Sequence, residues 1–123
     1  MKKVVSTILA LGLLLPGAAR AQSPSSILPV QTGAYAPAEG GCGAAAAAFI
    51  YVEDKAIGAN KTAGKVRSVK QDGSTYTLDV LWVEAGSDEA DGDRDTVTIE
   101  VKDDRSFFFS NMASKKTLMR RCS

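Results

Sequence analysis

Residues 71–84 read QDGSTYTLDVLWVE, a turn signal followed by a run in which large apolar residues alternate with smaller or polar ones. Asp72-Gly73 favours a tight hairpin, because these residue types accept the positive φ values of a primed turn. The alternation after the turn is typical of a strand with one face on a core. We therefore predict a hairpin whose return strand covers residues 75–84. Its apolar face carries Tyr76, Leu78, Val80 and Trp82.

Strand and turn signals recur on both sides of this hairpin at spacings of about ten residues. Residues 44–57 also allow a helix, because their alanine run has a high helix propensity, whereas the residues after it are β-branched and aromatic. We favour a strand there. The pattern predicts one antiparallel all-β domain of about six or seven strands, either a small meander barrel or a sandwich. The predicted strands are residues 33–35, 47–53, 65–70, 75–84, 95–102, 106–110 and 116–122.

The first 21 residues have the three parts of a secretory signal peptide. Two lysines form the basic start, an apolar stretch follows over residues 4–15, and Ala19 and Ala21 suit the pocket of a signal peptidase. The apolar stretch is shorter than the ~20 residues of a membrane-spanning helix. We expect cleavage after Ala21 and a periplasmic or secreted bacterial protein with no stable membrane anchor.

Removing 21 of the 123 residues leaves 102, which is enough for one domain. We assign residues 22–32, rich in Pro and Ser, to a flexible leader, and residues 33–123 to the β-rich domain. Three of the 15 Lys and Arg residues leave with the signal peptide, so 12 basic residues face 14 acidic ones. This balance, without a stripe of basic and aromatic residues, does not indicate nucleic-acid binding.

Both cysteines, Cys42 and Cys122, lie in the mature part of the chain. In an oxidising compartment they are expected to pair, which would tie the beginning of the domain to its last strand. The chain has no histidine and no C-x-x-C motif, which disfavours a redox or metal-binding role for them. We predict one structural disulfide.

The absence of histidine also excludes Ser-His-Asp and Cys-His catalytic sets. Carboxylates alone could still hydrolyse a sugar, and Asp79, Glu84 and Glu100 are the candidates for that role. The alternating acids of residues 91–95 resemble the start of a calcium loop, but the Gly and Glu that such a loop needs further on are missing. We predict no enzyme, no cofactor and no metal site.

Two features outside the expected core suggest a contact surface. Phe108 should face away from the core, because its neighbours Phe107 and Phe109 occupy the opposite face of the same strand. We predict a protein that binds an envelope protein or a polyanion as an inhibitor or accessory factor. The basic residues available for this contact are Lys115, Lys116, Arg120 and Arg121, the last two on opposite faces of a strand.

The alternative function is a carrier of a small apolar ligand. In that case the ligand would occupy the interior of the barrel, because the inward faces of its strands carry the largest apolar side chains. The residues expected around the ligand are Tyr76, Leu78, Val80, Trp82 and Val97.

The layout of the mature chain resembles the small exported proteobacterial proteins of unknown function. The resemblance lies in Gly33 and Tyr35 near the start, Cys42 soon after, Asp-Gly and Phe-rich hairpins, and the terminal Arg121-Cys122. The chain also looks similar to the membrane-bound and periplasmic inhibitors of C-type lysozyme, which are β-rich and often tied by a disulfide. Neither resemblance implies a site residue.

Overall fold

The computed structural model describes residues 24–122, which form one antiparallel sheet of eight strands. Each strand pairs with the next and the last pairs with the first, so the sheet closes into an up-and-down barrel. The predicted all-β class is confirmed. Of the two architectures considered, a barrel or a sandwich, the structure has the barrel. The strands are β1 Gly33–Pro37, β2 Ile50–Val52, β3 Ala56–Ala59, β4 Thr62–Asp72, β5 Thr75–Glu84, β6 Asp93–Asp103, β7 Ser106–Ser110 and β8 Thr117–Arg121.

Eight strands form where six or seven were predicted. The additional strand is β3, whose sequence, Ala-Ile-Gly-Ala, carries one large apolar residue and so shows no alternation. It is held by pairing with β2 and β4 on its two sides. The helix considered for residues 44–57 is absent, because Ala46–Ala48 form a short 3₁₀ turn and β2 begins only at Ile50. Burial of Ile50 and Val52 in the core outweighs the helix propensity of the alanines.

The β4–β5 hairpin forms as predicted, and β5 has the bounds expected from its alternation. Its turn lies one residue later than the sequence suggested. Asp72 pairs with Thr75, which leaves Gly73 and Ser74 as the two-residue loop. Only Gly73 of these two has a positive φ, 63°, which is the pattern of a type II′ turn.

The inward faces of the strands form one hydrophobic core. On β5, Leu78 and Val80 are fully buried, in agreement with the face predicted for this strand. On β7 the alternation also holds, since Phe107 and Phe109 are buried while Phe108 is only partly covered. The rings of Tyr35 and Phe107 contact each other with centroids 4.7 Å apart. Below its rim, the barrel is therefore filled by its own side chains.

Residues 24–32, here called the N-terminal segment, are packed against the barrel and do not form the free leader expected. Leu28 and Val30 are at most 2% exposed and belong to the core. The segment bonds to the turn after β2 through Asp54 and to the turn after β6 through Asp104. The domain thus starts earlier than predicted, because the strands leave an opening at this end that apolar side chains of the segment fill.

Cys42 and Cys122 form the predicted disulfide, with their Cα atoms 5.9 Å apart. Cys42 lies in the 3₁₀ turn Gly41–Gly43 after β1, and Cys122 directly follows β8. Because β1 and β8 are the strands that pair where the sheet closes, the bond fastens this seam. The signal peptide predicted for residues 1–21 lies outside the described residues.

Candidate binding site

The two ends of the barrel are covered differently. At the closed end, the N-terminal segment lies against the turns that follow β2, β4 and β6. The other end, here called the mouth, carries the connections β1–β2, β3–β4, β5–β6 and β7–β8. A cavity of about 370 Å³ opens there. The mouth is therefore the candidate binding site.

Small residues make room for the mouth cavity. Ala59 faces it from β3, and Ala47 faces it from the 3₁₀ turn before β2. Gly64 on β4 lets the indole of Trp82 lie close, because a Cβ at this position would come within 2.8 Å of Trp82 Cζ3. An adjoining hollow of about 250 Å³ shares part of the wall. The full lining is Ala47, Phe49, Ile50, Ala59, Thr62, Trp82, Glu84, Asp93, Phe109, Asn111 and Ser114.

Asp95 is a buried carboxylate on β6, two residue pairs deeper in the barrel than Trp82. Its Oδ2 accepts hydrogen bonds from Trp82 Nε1 and Asn111 Nδ2, both at 2.9 Å. Its Oδ1 accepts a hydrogen bond from the Met112 backbone N–H at 3.3 Å. The carboxylate thus joins the indole to the β7–β8 loop, two parts of the cavity wall. We assign it a role in shaping the mouth.

The β7–β8 loop is ordered by a second set of hydrogen bonds around Asn111. Its Oδ1 accepts from the backbone N–H groups of Ala113 at 3.1 Å and Ser114 at 2.7 Å. The amide of Asn111 therefore faces Asp95 with its donor and the loop with its acceptor. This arrangement holds Ser114 at the cavity wall.

The three acids considered for a hydrolase do not share a cleft. Asp79 and Glu100 lie on the outer face, where they pair with Arg94 at 2.9 Å and Lys116 at 2.7 Å. Glu84 instead lines the mouth. Within residues 24–122, no group of three or more Cys, Asp or Glu residues is placed to hold a metal ion. The same residues include no helix that is long and apolar enough to cross a membrane.

The predicted contact residues are divided between surfaces. Phe108 on β7 and Arg120 on β8 lie on the outer face of the barrel. Lys116, in the loop just before β8, lies at the same face. Lys116 Nζ lies 4.9 Å from the centroid of the Phe108 ring and pairs with Glu100, so it partly covers the ring. Lys115 is exposed in the loop before β8.

Arg121 points the other way, as expected from its position next to Arg120. Its Nε donates a hydrogen bond to the Thr32 carbonyl at 2.8 Å, which fastens the N-terminal segment to β8. The most exposed large apolar side chain of the described residues is Met112, at 76%, in the β7–β8 loop beside the mouth. The sequence pattern did not single out this residue.

The prediction of which residues would surround the ligand of a carrier is partly wrong. Leu78, Val80 and Val97 are fully buried and fill the barrel, and of the five residues named only Trp82 lines the mouth cavity. Most of the wall was missed, because it comes from strand ends and loops. One signal was present: Asp95 lies on the same face of β6 as Val97 and Ile99, and a polar residue at a buried position needs partners.

Comparison of the chain with protein families, with curated proteins and with solved structures gave no match. The function is therefore argued from the mouth and the residues around it.

Proposed function

We propose that the mature chain is an exported, non-catalytic binding protein that holds a small ligand with an apolar body in the mouth of its barrel. The cavity carries this proposal, since its volume of about 370 Å³ falls within the roughly 300–1,000 Å³ of small-molecule sites. Its walls combine the aromatic side chains Phe49, Trp82 and Phe109 with a few polar groups, the composition usual for such sites.

Two observations support export. Residues 1–21 have the pattern of a cleavable signal peptide. The disulfide between Cys42 and Cys122 is a bond that persists in oxidising compartments outside the cytoplasm.

Binding through the outer face to an envelope protein or polyanion has less support. Lys116 is already paired with Glu100 and covers part of Phe108, while Arg121 turns inward. Three of the five residues expected to act together, Phe108, Lys116 and Arg121, are thus engaged with other parts of the barrel. Hydrolysis has less support as well, because the acids of the mouth are exposed and nothing in the cavity keeps water from them.

The test uses the single tryptophan of the chain, Trp82, whose fluorescence reports on the mouth. The neutral apolar dye N-phenyl-1-naphthylamine is added to mature protein that begins at Gln22. We expect saturable binding of one dye per chain, accompanied by loss of Trp82 emission through energy transfer to the dye.

Two phenylalanine variants locate the dye. Ala47→Phe adds a ring at the cavity wall, and we expect it to weaken binding on the order of tenfold. Ala45→Phe makes the same change at an exposed residue outside the lining, so binding should be retained. Dye uptake that never saturates, or equal affinity in both variants, would contradict the proposal. Urea unfolding of each variant verifies that it is folded.

A further inference from the structure

The mouth cavity has a single sign of charge. Its two ionisable lining residues are carboxylates, Glu84 and Asp93, and its other lining side chains are apolar or neutral. The ion pairs among the described residues are Lys65 with Glu89, Asp79 with Arg94 and Glu100 with Lys116. Neither mouth carboxylate belongs to one of them. Both are therefore available to a ligand.

The strand register places both carboxylates beside the indole of Trp82. Asp93 on β6 is the Cα partner of Trp82 on β5. Glu84 lies two residues after Trp82 on β5, so its side chain is on the same inward face. Thr62, the β4 partner of Glu84, also lines the cavity. Two negative groups and an aromatic ring thus meet on one side of the mouth.

This combination favours a cation over an anion. A cleft whose charges have one sign concentrates ions of the opposite sign and repels those of its own. Tryptophan adds to the preference, since its ring face attracts cations more strongly than that of any other side chain. Phe49 and Phe109 leave an apolar wall to take the rest of the ligand. Lys61 lines an outer groove that Glu84 also borders, but it does not line the cavity.

We propose that the mouth takes a small organic cation, an amine or quaternary ammonium joined to an apolar body. The cationic group lies between Glu84 and Asp93 beside Trp82, and the apolar body lies against Phe49 and Phe109. This inference rests on the proposed function, because it specifies the ligand of the same cavity.

The experiment compares three ligands with the same octyl chain and different head groups. Octyltrimethylammonium, octyl glucoside and octanoate are each titrated below the concentration at which they form micelles, with Trp82 fluorescence as the readout. We expect the cation to bind on the order of tenfold more tightly than octanoate, with the neutral glucoside between them. Added salt should reduce this difference, because exposed charges are screened.

Paired variants assign the preference to the mouth. In Glu84→Gln/Asp93→Asn the affinity for octyltrimethylammonium should fall to that for octyl glucoside, while the glucoside itself binds as before. The matched control, Glu39→Gln/Asp72→Asn, changes the net charge equally at two exposed acids outside the lining and should keep the preference.

The outcomes separate the two proposals. Equal affinity for the three octyl ligands, or a preference for octanoate, overturns the cation inference and leaves the binding function standing. Loss of the preference in the control as well as in the mouth variant shows a general charge effect and also overturns the inference. If none of the three ligands binds and the neutral dye does not bind either, both proposals fail.

Discussion

Among single residues, Asp95 connects two parts of the wall of the mouth. Its carboxylate accepts hydrogen bonds from the side chains of Trp82 and Asn111 and from the backbone of Met112. Buried charged acceptors are tolerated where several donors compensate for the lost water. The three donors in turn depend on Asp95, because without it they would be left partly buried and unpaired.

We predict that Asp95→Ala lowers the free energy of unfolding by about 2–3 kcal/mol, the usual cost of leaving buried donors without a charged acceptor. Urea unfolding followed by circular dichroism measures the loss. The control is Asp79→Ala, which removes an exposed ion pair with Arg94 and should cost about 0–1 kcal/mol. Equal losses in the two variants would contradict the role assigned to Asp95.

Tyr35 makes the free energy of unfolding depend on pH in the alkaline range. Burial raises the pKa of its phenol from 10.0 to about 12, although the positive charges of Arg121 and Arg105 oppose the shift. Its hydroxyl also donates a hydrogen bond to the Gln31 carbonyl at 2.6 Å. Between these two pH values the phenol is ionised in the unfolded chain but still protonated in the folded one.

The stability that Tyr35 contributes is therefore complete below about pH 10 and is lost as the pH rises to about 12, by roughly 2–3 kcal/mol at about 1.4 kcal/mol per pKa unit. We expect the difference in unfolding free energy between wild type and Tyr35→Phe to shrink over this interval. The lysines titrate in both proteins, so they cancel in the difference. Parallel pH curves for the two proteins would disprove the prediction.

Among the elements, the N-terminal segment is the one whose role departs most from its composition. Residues rich in Pro and Ser usually form linkers, yet this segment places Leu28 and Val30 in the core and bonds to turns on both sides of the closed end. Arg121 and Tyr35 hold its last residues through the carbonyls of Thr32 and Gln31. The segment therefore acts as a structural cap.

We predict that Val30→Ala lowers the free energy of unfolding by about 2 kcal/mol, from the loss of buried methyl groups and the cavity left behind. Val69→Ala is the matched control, because Val69 is 38% exposed. Its effect should be less than half as large. If the two substitutions cost the same, the N-terminal segment does not contribute to the core in solution.

For the whole molecule, the closed barrel pairs every strand on both of its sides. A closed sheet has no unpaired edge at its seam, and here the seam between β1 and β8 is also fastened by the disulfide. The bond spans 80 residues of sequence. It therefore restricts a large part of the unfolded chain.

We predict that Cys42→Ser/Cys122→Ser lowers the free energy of unfolding by about 4 kcal/mol, the loop-closure entropy expected for a loop of this length. Wild type with its disulfide reduced should show the same loss in urea, since Cys42 is exposed and Cys122 only partly buried. A loss in the variant but not in the reduced wild type would assign the effect to the serines and not to the bond.

Much of the fold could be predicted from local patterns. The alternation in β5, β6 and β7 identified their inward faces, and the two-cysteine count led to the disulfide. β3 was missed because its residues are small, so its strand conformation depends on its two neighbours. Of the residues that line the mouth cavity, only Trp82 was among those predicted to surround a ligand.

Most strand positions and inward faces were accessible from the sequence, because they depend on residues close in the chain. The cysteine pair was accessible because the sequence contains only two cysteines. The barrel closure, the capping role of the N-terminal segment and the mouth arise only in the tertiary structure. They depend on contacts such as Gln31 with Asp104 and Asp95 with Asn111. Contacts between distant residues repay their loop-closure entropy only once the whole sheet has formed, and no local pattern records them.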